Sequence, residues 1–332
     1  MLREIRPVLV TGATGFVGDV LLRSLLRADA PVRAALRAPS PAMAAAHPSV
    51  VPVVVGDLAA DCRWDEALEG VDCVIHLAAR VHVMNDASAD PLAAFRAANV
   101  EGTVRLAEAA ARAGVRRLVF ASSIKVNGES TLPGYPFGAH SPPQPADPYG
   151  ISKLEAEQRL QRIAAATGLE FVTLRPVLMY GPGVKGNLER LLRWVLRGAP
   201  LPFASVDNRR SLLSVDNFVD ALQVAATHPL AAGGTFLVAD GEDLSTPELV
   251  RRIARAVCRR PRLLPVPPGL LQAAASALGR GAEVSRLIGS LQVDASLLRD
   301  RLGWRPPVSV DEGLARMVRA ASERRPQDIG PG

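Results

Sequence analysis

Two periods alternate along the chain. Short apolar runs recur at residues 7–11, 31–37, 50–55, 71–75, 117–121 and 171–176, each bounded by turn formers or charge. Between them, residues 17–28, 92–113 and 149–167 carry apolar side chains three and four apart. A strand buried on both faces reads as a continuous apolar run, and a helix covering it reads as a stripe of period 3.6. Strand and helix in this rotation predict an α/β fold, a doubly wound parallel sheet with ligands at the carboxyl ends of the strands. Beyond residue 176 the rotation is broken at 181–186 and 259–269, which predicts a smaller C-terminal substrate-binding lobe over 177–322, with the chain returning to the sheet near 235–240. The nucleotide-binding part is expected over residues 6–176, and 323–332 is expected to be a disordered tail.

The first strand runs into Gly12-Ala-Thr-Gly15-Phe16-Val17-Gly18 and then into the first helical pattern. Glycines here let the backbone approach a pyrophosphate, and the helix N-terminus offers free N–H groups to the anion. The second strand ends at Arg37, with Arg33 before it and no acid in the run. An acid at that point suits the ribose 2′-OH of NAD, whereas an arginine suits a 2′-phosphate. The expected cofactor is therefore NAD(P), tipped toward NADP(H). His76 closes the fourth strand and reads as a hydrogen-bonded structural group.

Asp147-Pro-Tyr149-Gly-Ile-Ser-Lys153 opens the longest helical pattern. Tyr149 and Lys153 are four apart and share one helix face. A tyrosine holds its proton to about pH 10, and a neighbouring ammonium is expected to lower that value, so that the phenol can exchange a proton with a substrate hydroxyl or ketone. Ser123, after the fifth strand, is placed to bind a substrate oxygen beside it. The Gly- and Pro-rich residues 127–145 read as a long loop, of the length that often forms a lid.

With the glycine turn, Ser123, Tyr149 and Lys153 together, the sequence resembles the extended short-chain dehydrogenase/reductase family, over roughly residues 6 to 320, and within it the nucleotide-sugar epimerases, dehydratases and reductases. The resemblance implies a Rossmann fold, a catalytic triad of Ser123, Tyr149 and Lys153, and a cofactor set of Gly12, Gly15, Phe16, Val17, Gly18, Arg37, Asp57, Leu58, Leu77, Ala78, Asn99 and Lys153. It implies substrate contacts at Ser123, Lys125, Asn187 and Leu188, with Arg210 and Arg286 on the diphosphate. Forked guanidinium donors suit such an anion. Family dehydratases carry an Asp-Glu pair where this chain has Ile124-Lys125, which disfavours dehydration. The segment Ser-Ile-Lys-Val-Asn-Gly resembles a UDP-glucose 4-epimerase-like branch that includes UDP-4-keto-6-deoxy-N-acetylhexosamine reductases of bacterial surface polysaccharide synthesis. Arg37 tips the reading to C4 reduction. The alternatives are a UDP-glucose or UDP-N-acetylglucosamine 4-epimerase with retained NAD, and an NADP(H)-binding regulator without turnover.

Composition narrows the setting. The 332 residues carry a net charge of +6, but aromatics are only 4%, too few for a nucleic-acid stacking platform. Cys62, Cys73 and Cys258 are odd in number and lack metal spacing, so neither a disulfide framework nor a metal site is expected. The longest uncharged apolar region, 263–278, is broken by Pro265, Pro267 and Pro268 and is too short to span a bilayer. A cytoplasmic protein without membrane insertion is expected. The helical patterns at 92–113 and 149–167 are apolar on more than one face, which predicts a homodimer, one that Leu160→Arg would push toward monomer if that position lies in the contact.

Overall fold

The computed structural model describes residues 7–60, 62–81, 90–132 and 134–324. The chain starts with β1 (Val8–Thr11), α1 (Phe16–Arg27), β2 (Val32–Leu36), α2 (Pro41–Ala46), β3 (Val51–Val54), α3 (Asp65–Leu68) and β4 (Cys73–His76). It continues through α4 (Pro91–Arg96), α5 (Gly102–Arg112), β5 (Arg117–Ala121), α6 (Pro148–Thr167), β6 (Glu170–Pro176) and β7 (Leu178–Tyr180). Then come α7 (Asn187–Arg197), β8 (Arg210–Ser214), α8 (Val215–Thr227), β9 (Thr235–Val238) and β10 (Asp243–Leu244). The last elements are α9 (Thr246–Ala256), α10 (Pro268–Ala277), α11 (Gly281–Ile288), α12 (Ser296–Leu302) and α13 (Val310–Arg324).

Seven parallel strands form the main sheet in the order β3-β2-β1-β4-β5-β6-β9. Its two faces bury separate cores. One packs Leu21, Leu22 and Leu25 of α1, Phe218 and Leu222 of α8 and Leu298 of α12; the other packs Leu68 of α3, Leu106 and Ala110 of α5, and Ala156 and Leu160 of α6. Since both faces are covered, the strands carry no polar alternation, as expected of a doubly wound sheet. A small sheet, β10-β8-β7, stands apart with a third core of Leu191, Leu192, Val250, Ile253 and Leu314 from α7, α9 and α13.

The expected return of the chain to the sheet is β9, beside β6. α8 and α12 also lie on the sheet, so residues after 176 are shared between the two layers. Of the expected tail, Glu323 and Arg324 end α13, while 325–332 lie outside the described residues. The pattern over 92–113 is not one helix. It is interrupted by a π-helical stretch, Ala97–Glu101, an irregularity that collects at functional sites. Leu160 is 1% exposed within this chain's own core, which removes it from any contact between copies.

Candidate active site

All strands of the main sheet run the same way, so their carboxyl ends form one edge, and the expected cofactor residues gather along it. Gly12 has φ +71°, and a Cβ there would sit 2.7 Å from Ala78 N and 2.9 Å from the Leu77 carbonyl carbon. The turn after β1 thus lies against the strap after β4, where Ala78 N–H donates to Thr11 Oγ1 at 3.1 Å. A Cβ on Gly18 would fall 2.2 Å from Gly12 O. Only glycine permits both approaches. Gly15 caps α1 with no side chain over the helix end, leaving the amides of Phe16, Val17 and Gly18 available to an anion. The cradle fits a dinucleotide pyrophosphate.

At the far end of the edge, Arg37 Nη1 lies 3.7 Å from Asp57 Oδ2, and both side chains are largely exposed. The expectation that Arg37 has no acid beside it is corrected: the acid comes from the residues after β3, which strand order alone places next to β2. Leu58 O accepts from Arg105 at 2.5 Å, which fixes that turn onto α5. Asn99 is buried in the π-helical stretch. Its amide accepts from Arg80 N at 2.7 Å and donates to Arg80 O and to Ser152 Oγ, each at 3.0 Å, tying the strap after β4 to the first turn of α6. His76 is structural as read: its ring nitrogens meet Thr11 Oγ1 at 2.7 Å and Thr103 Oγ1 at 2.9 Å. Burial lowers its pKa to about 3, so it stays neutral.

The chemistry sits at the end of β5 and the start of α6. Asp147 caps α6, accepting from Gly150 N at 2.7 Å. A Cβ on Gly150 would lie 2.7 Å from Lys125 O, so glycine lets this turn approach the Ser123 segment closely. Tyr149 lies beside Ser123, whose hydroxyl acts to lower the pKa of the phenol. Lys153 is 2% exposed; its ammonium donates to Ala121 O at 2.8 Å and lies 4.4 Å from the centre of the Phe120 ring and 5.9 Å from that of Tyr149. Burial lowers Lys153 to about 7, against a smaller opposing effect of Glu157. Burial, with Asp147 nearby, raises Tyr149 to about 12, and the neighbouring Ser123 hydroxyl offsets only part of this. The expected downward shift of the phenol is therefore not a property of the protein alone. Desolvation of a charged form outweighs one neighbouring hydroxyl here.

Under the pair lies a network that the sequence reading missed. Glu157 accepts from Ser122 Oγ at 2.5 Å and from Arg175 at 2.9 and 2.5 Å, while Arg175 also donates to Asn127 at 3.1 Å. The available signal was an arginine inside the apolar strand Phe171-Val-Thr-Leu-Arg175, which demands a buried acid.

The expected substrate residues form a second group. Lys125 is ion-paired with Asp147 and, at 3.0 Å, with Glu129, which makes it a brace for the α6 N-terminus. Asn187 begins α7 and lines an apolar cavity of ≈ 240 Å³ with Trp194, Phe203, Leu271 and Leu287. Leu188 points into the third core, leaving its backbone for any ligand. Arg210 donates to Arg286 O at 2.6 Å and to Gly289 O at 3.0 Å, capping the end of α11. The two expected phosphate arginines thus converge, and burial together with the Arg286 charge lowers the Arg210 pKa. The loop after Ser123 is fastened to this group: Thr131 N donates to Ser290 O at 2.9 Å, Phe137 N to Gln292 O at 2.9 Å and Asp294 N to Phe137 O at 2.8 Å. Its described part is pinned as a strap between the catalytic pair and the arginines, not held as a loose lid.

A parallel doubly wound sheet with this glycine turn, and with Ser123, Tyr149 and Lys153 at its carboxyl edge, is a dinucleotide-binding architecture with a proton-exchanging group beside the cradle. Residues 8–239 match the NAD dependent epimerase/dehydratase family, and the chain belongs to that family. It is 43% identical over 317 residues to a UDP-glucose 4-epimerase of Vibrio cholerae, covering 95% of each chain. It is 27% identical over 330 residues to an Escherichia coli O157:H7 N-acetyl-alpha-D-glucosaminyl-diphospho-ditrans,octacis-undecaprenol 4-epimerase, covering 94% of each. Among solved structures it is similar to MoeE5 in complex with UDP-glucose and NAD, with 28% identity, a TM-score of 0.75, and coverage of 96% of this chain and 99% of that one. The protein is an enzyme of that epimerase/dehydratase family.

Proposed function

We propose that the protein is a UDP-hexose 4-epimerase that keeps NAD bound throughout its cycle. The observation that carries this is Tyr149 beside Ser123 with Lys153 one turn along the same helix, at the edge where the glycine turn lies. NAD held by Gly12, Gly15, Gly18, Leu77 and Ala78 supplies a reversible hydride acceptor for C4 of the sugar. Ser123 orients the C4 oxygen and Tyr149 exchanges its proton. Lys153, with a pKa near neutrality, stabilises the phenolate whenever it carries its charge. Were the C4 hydride to pass to bound NAD as Tyr149 takes the hydroxyl proton, and both to return with the hydride on the opposite face of the sugar, C4 would be inverted with no net consumption of cofactor.

The C4 reductase reading drew on Arg37 as a cation without an acid. Asp57 beside it offsets that charge and itself suits a 2′-OH, which supports NAD over NADP(H). Arg210 and Arg286, two like charges held together, gain from a diphosphate between them, which supports a UDP-sugar. Among the described residues no helix is long and apolar enough to cross a membrane, and the reading places the enzyme in the cytoplasm. It also retains a homodimer, with the contact moved from Leu160 to the outward stripe of Leu154, Gln158, Gln161 and Ala165 on α6. The test is mass spectrometry of nucleotides released from freshly purified protein. Stoichiometric NAD is expected; protein free of nucleotide that binds only added NADPH would overturn the reading.

A further inference from the structure

Seventeen consecutive residues, 263–279, carry no charge, and Arg259, Arg260, Arg262, Arg280 and Arg286 flank them. The structure folds their second half into α10 and divides its apolar surface in two. Leu271, Ala275 and Leu278 recur four and three apart and line the cavity with Trp194 and Leu287 of α7 and α11. Leu270, Ala273 and Ala277 share a different face through the spacing i, i+3, i+7, and all three are exposed. Leu264, Leu270 and Leu278 are 48%, 61% and 77% exposed. Three exposed leucines thus fall within fifteen residues, and water is a poor solvent for them.

We propose that this face rests on an anionic phospholipid surface. At ten residues α10 is roughly 15 Å long, about half the hydrocarbon thickness, so it lies in the interface and does not span. The surrounding charge selects the occupant. Among the described residues no ion pair engages Arg260, Arg262 or Arg280, and the one acid in the flank, Glu283, is paired with Arg190 at 2.5 Å. A second copy docking here about a two-fold axis would bring these arginines against their own images, with no acid to answer them. A bilayer with anionic headgroups takes up the leucines and the guanidinium groups together. The inference does not depend on the identity of the sugar or the cofactor.

The experiment is vesicle co-sedimentation of the full chain, with vesicles of phosphatidylcholine alone and vesicles that also contain phosphatidylglycerol. The protein is expected to pellet with the anionic vesicles and to be released by salt. Arg260→Glu with Arg262→Glu should weaken that binding by about tenfold or more, at roughly 1 kcal/mol per basic residue. Leu270→Glu with Ala273→Glu and Ala277→Glu should abolish it while turnover of a soluble nucleotide sugar is kept. Failure of the unmodified protein to bind anionic vesicles overturns the proposal. So does undiminished binding by the triple variant. A triple variant that dissociates a dimer in sedimentation velocity, with no vesicle binding by the parent, would assign the stripe to a second copy instead.

Discussion

Arg175 grips Glu157 through two hydrogen bonds of 2.9 and 2.5 Å, both side chains nearly buried, one helical turn beyond Lys153. The pair joins β6 to α6, and through Ser122 and Asn127 it also holds the segment that carries Ser123. Removing one partner strands a buried charge, so Glu157→Gln is expected to destabilise the protein by about 3–5 kcal/mol in urea unfolding. Replacing both with apolar residues of similar volume should cost less than either single change. Near-normal stability of Glu157→Gln would show that Arg175 has another counter-ion.

Tyr149→Phe keeps the ring against Phe95, which it meets edge-on at 6.1 Å, and removes the proton. Turnover should fall by about two to four orders of magnitude, the scale of general acid–base catalysis, with bound NAD retained. Stopped assays beside nucleotide release measure the two effects separately. Activity within a few-fold of the parent would remove Tyr149 from the proton path.

Lys153 gives the stability profile a definite sign. Its pKa falls from 10.5 in the unfolded chain to about 7 in the folded one. Below pH 7 both states are charged and the burial cost is felt in full. Between pH 7 and about 10 the unfolded state binds more protons, so stability rises with pH. Above pH 10 the raised pKa of Tyr149 acts the other way, because the folded state then holds the extra proton. Lys153→Met should flatten the rise between pH 7 and 10 in thermal unfolding. A slope equal to the parent's would mean that the ammonium is solvated.

The strands, the glycine turn and the Tyr-Lys helix were legible because each is local: a run of apolar residues, a spacing, a cap such as Asp147. What escaped were relationships set by strand order and burial. Arg37 and Asp57 are twenty residues apart and become neighbours only because β2 pairs with β3. Leu160 read as surplus apolar surface, but the sheet face beneath α6 takes it up. Lys125, expected as a substrate contact, also pairs with the α6 cap carboxylate, a neighbour that its position after Ser123 does not reveal. The depressed Lys153 and raised Tyr149 follow from desolvation, which spacing does not reveal.

Asp57 is expected to restrain NADP binding. Asp57→Asn removes the carboxylate while leaving a hydrogen-bonding side chain, and frees the Arg37 guanidinium for a 2′-phosphate. Since exposed pairs of this kind are worth about 0–1 kcal/mol, NADP affinity should rise by up to about fivefold in calorimetry, with NAD affinity unchanged or lower. A fall in NADP affinity would place Arg37 outside the ribose site.

The central claim is that C4 is inverted with NAD that never leaves. Purified protein given UDP-glucose and no added nicotinamide nucleotide, followed through the anomeric proton by NMR, tests it directly. UDP-galactose should appear and approach a constant ratio to UDP-glucose. Conversion that is absent without added nucleotide, from protein that instead consumes NADPH on a 4-keto sugar, would contradict the account.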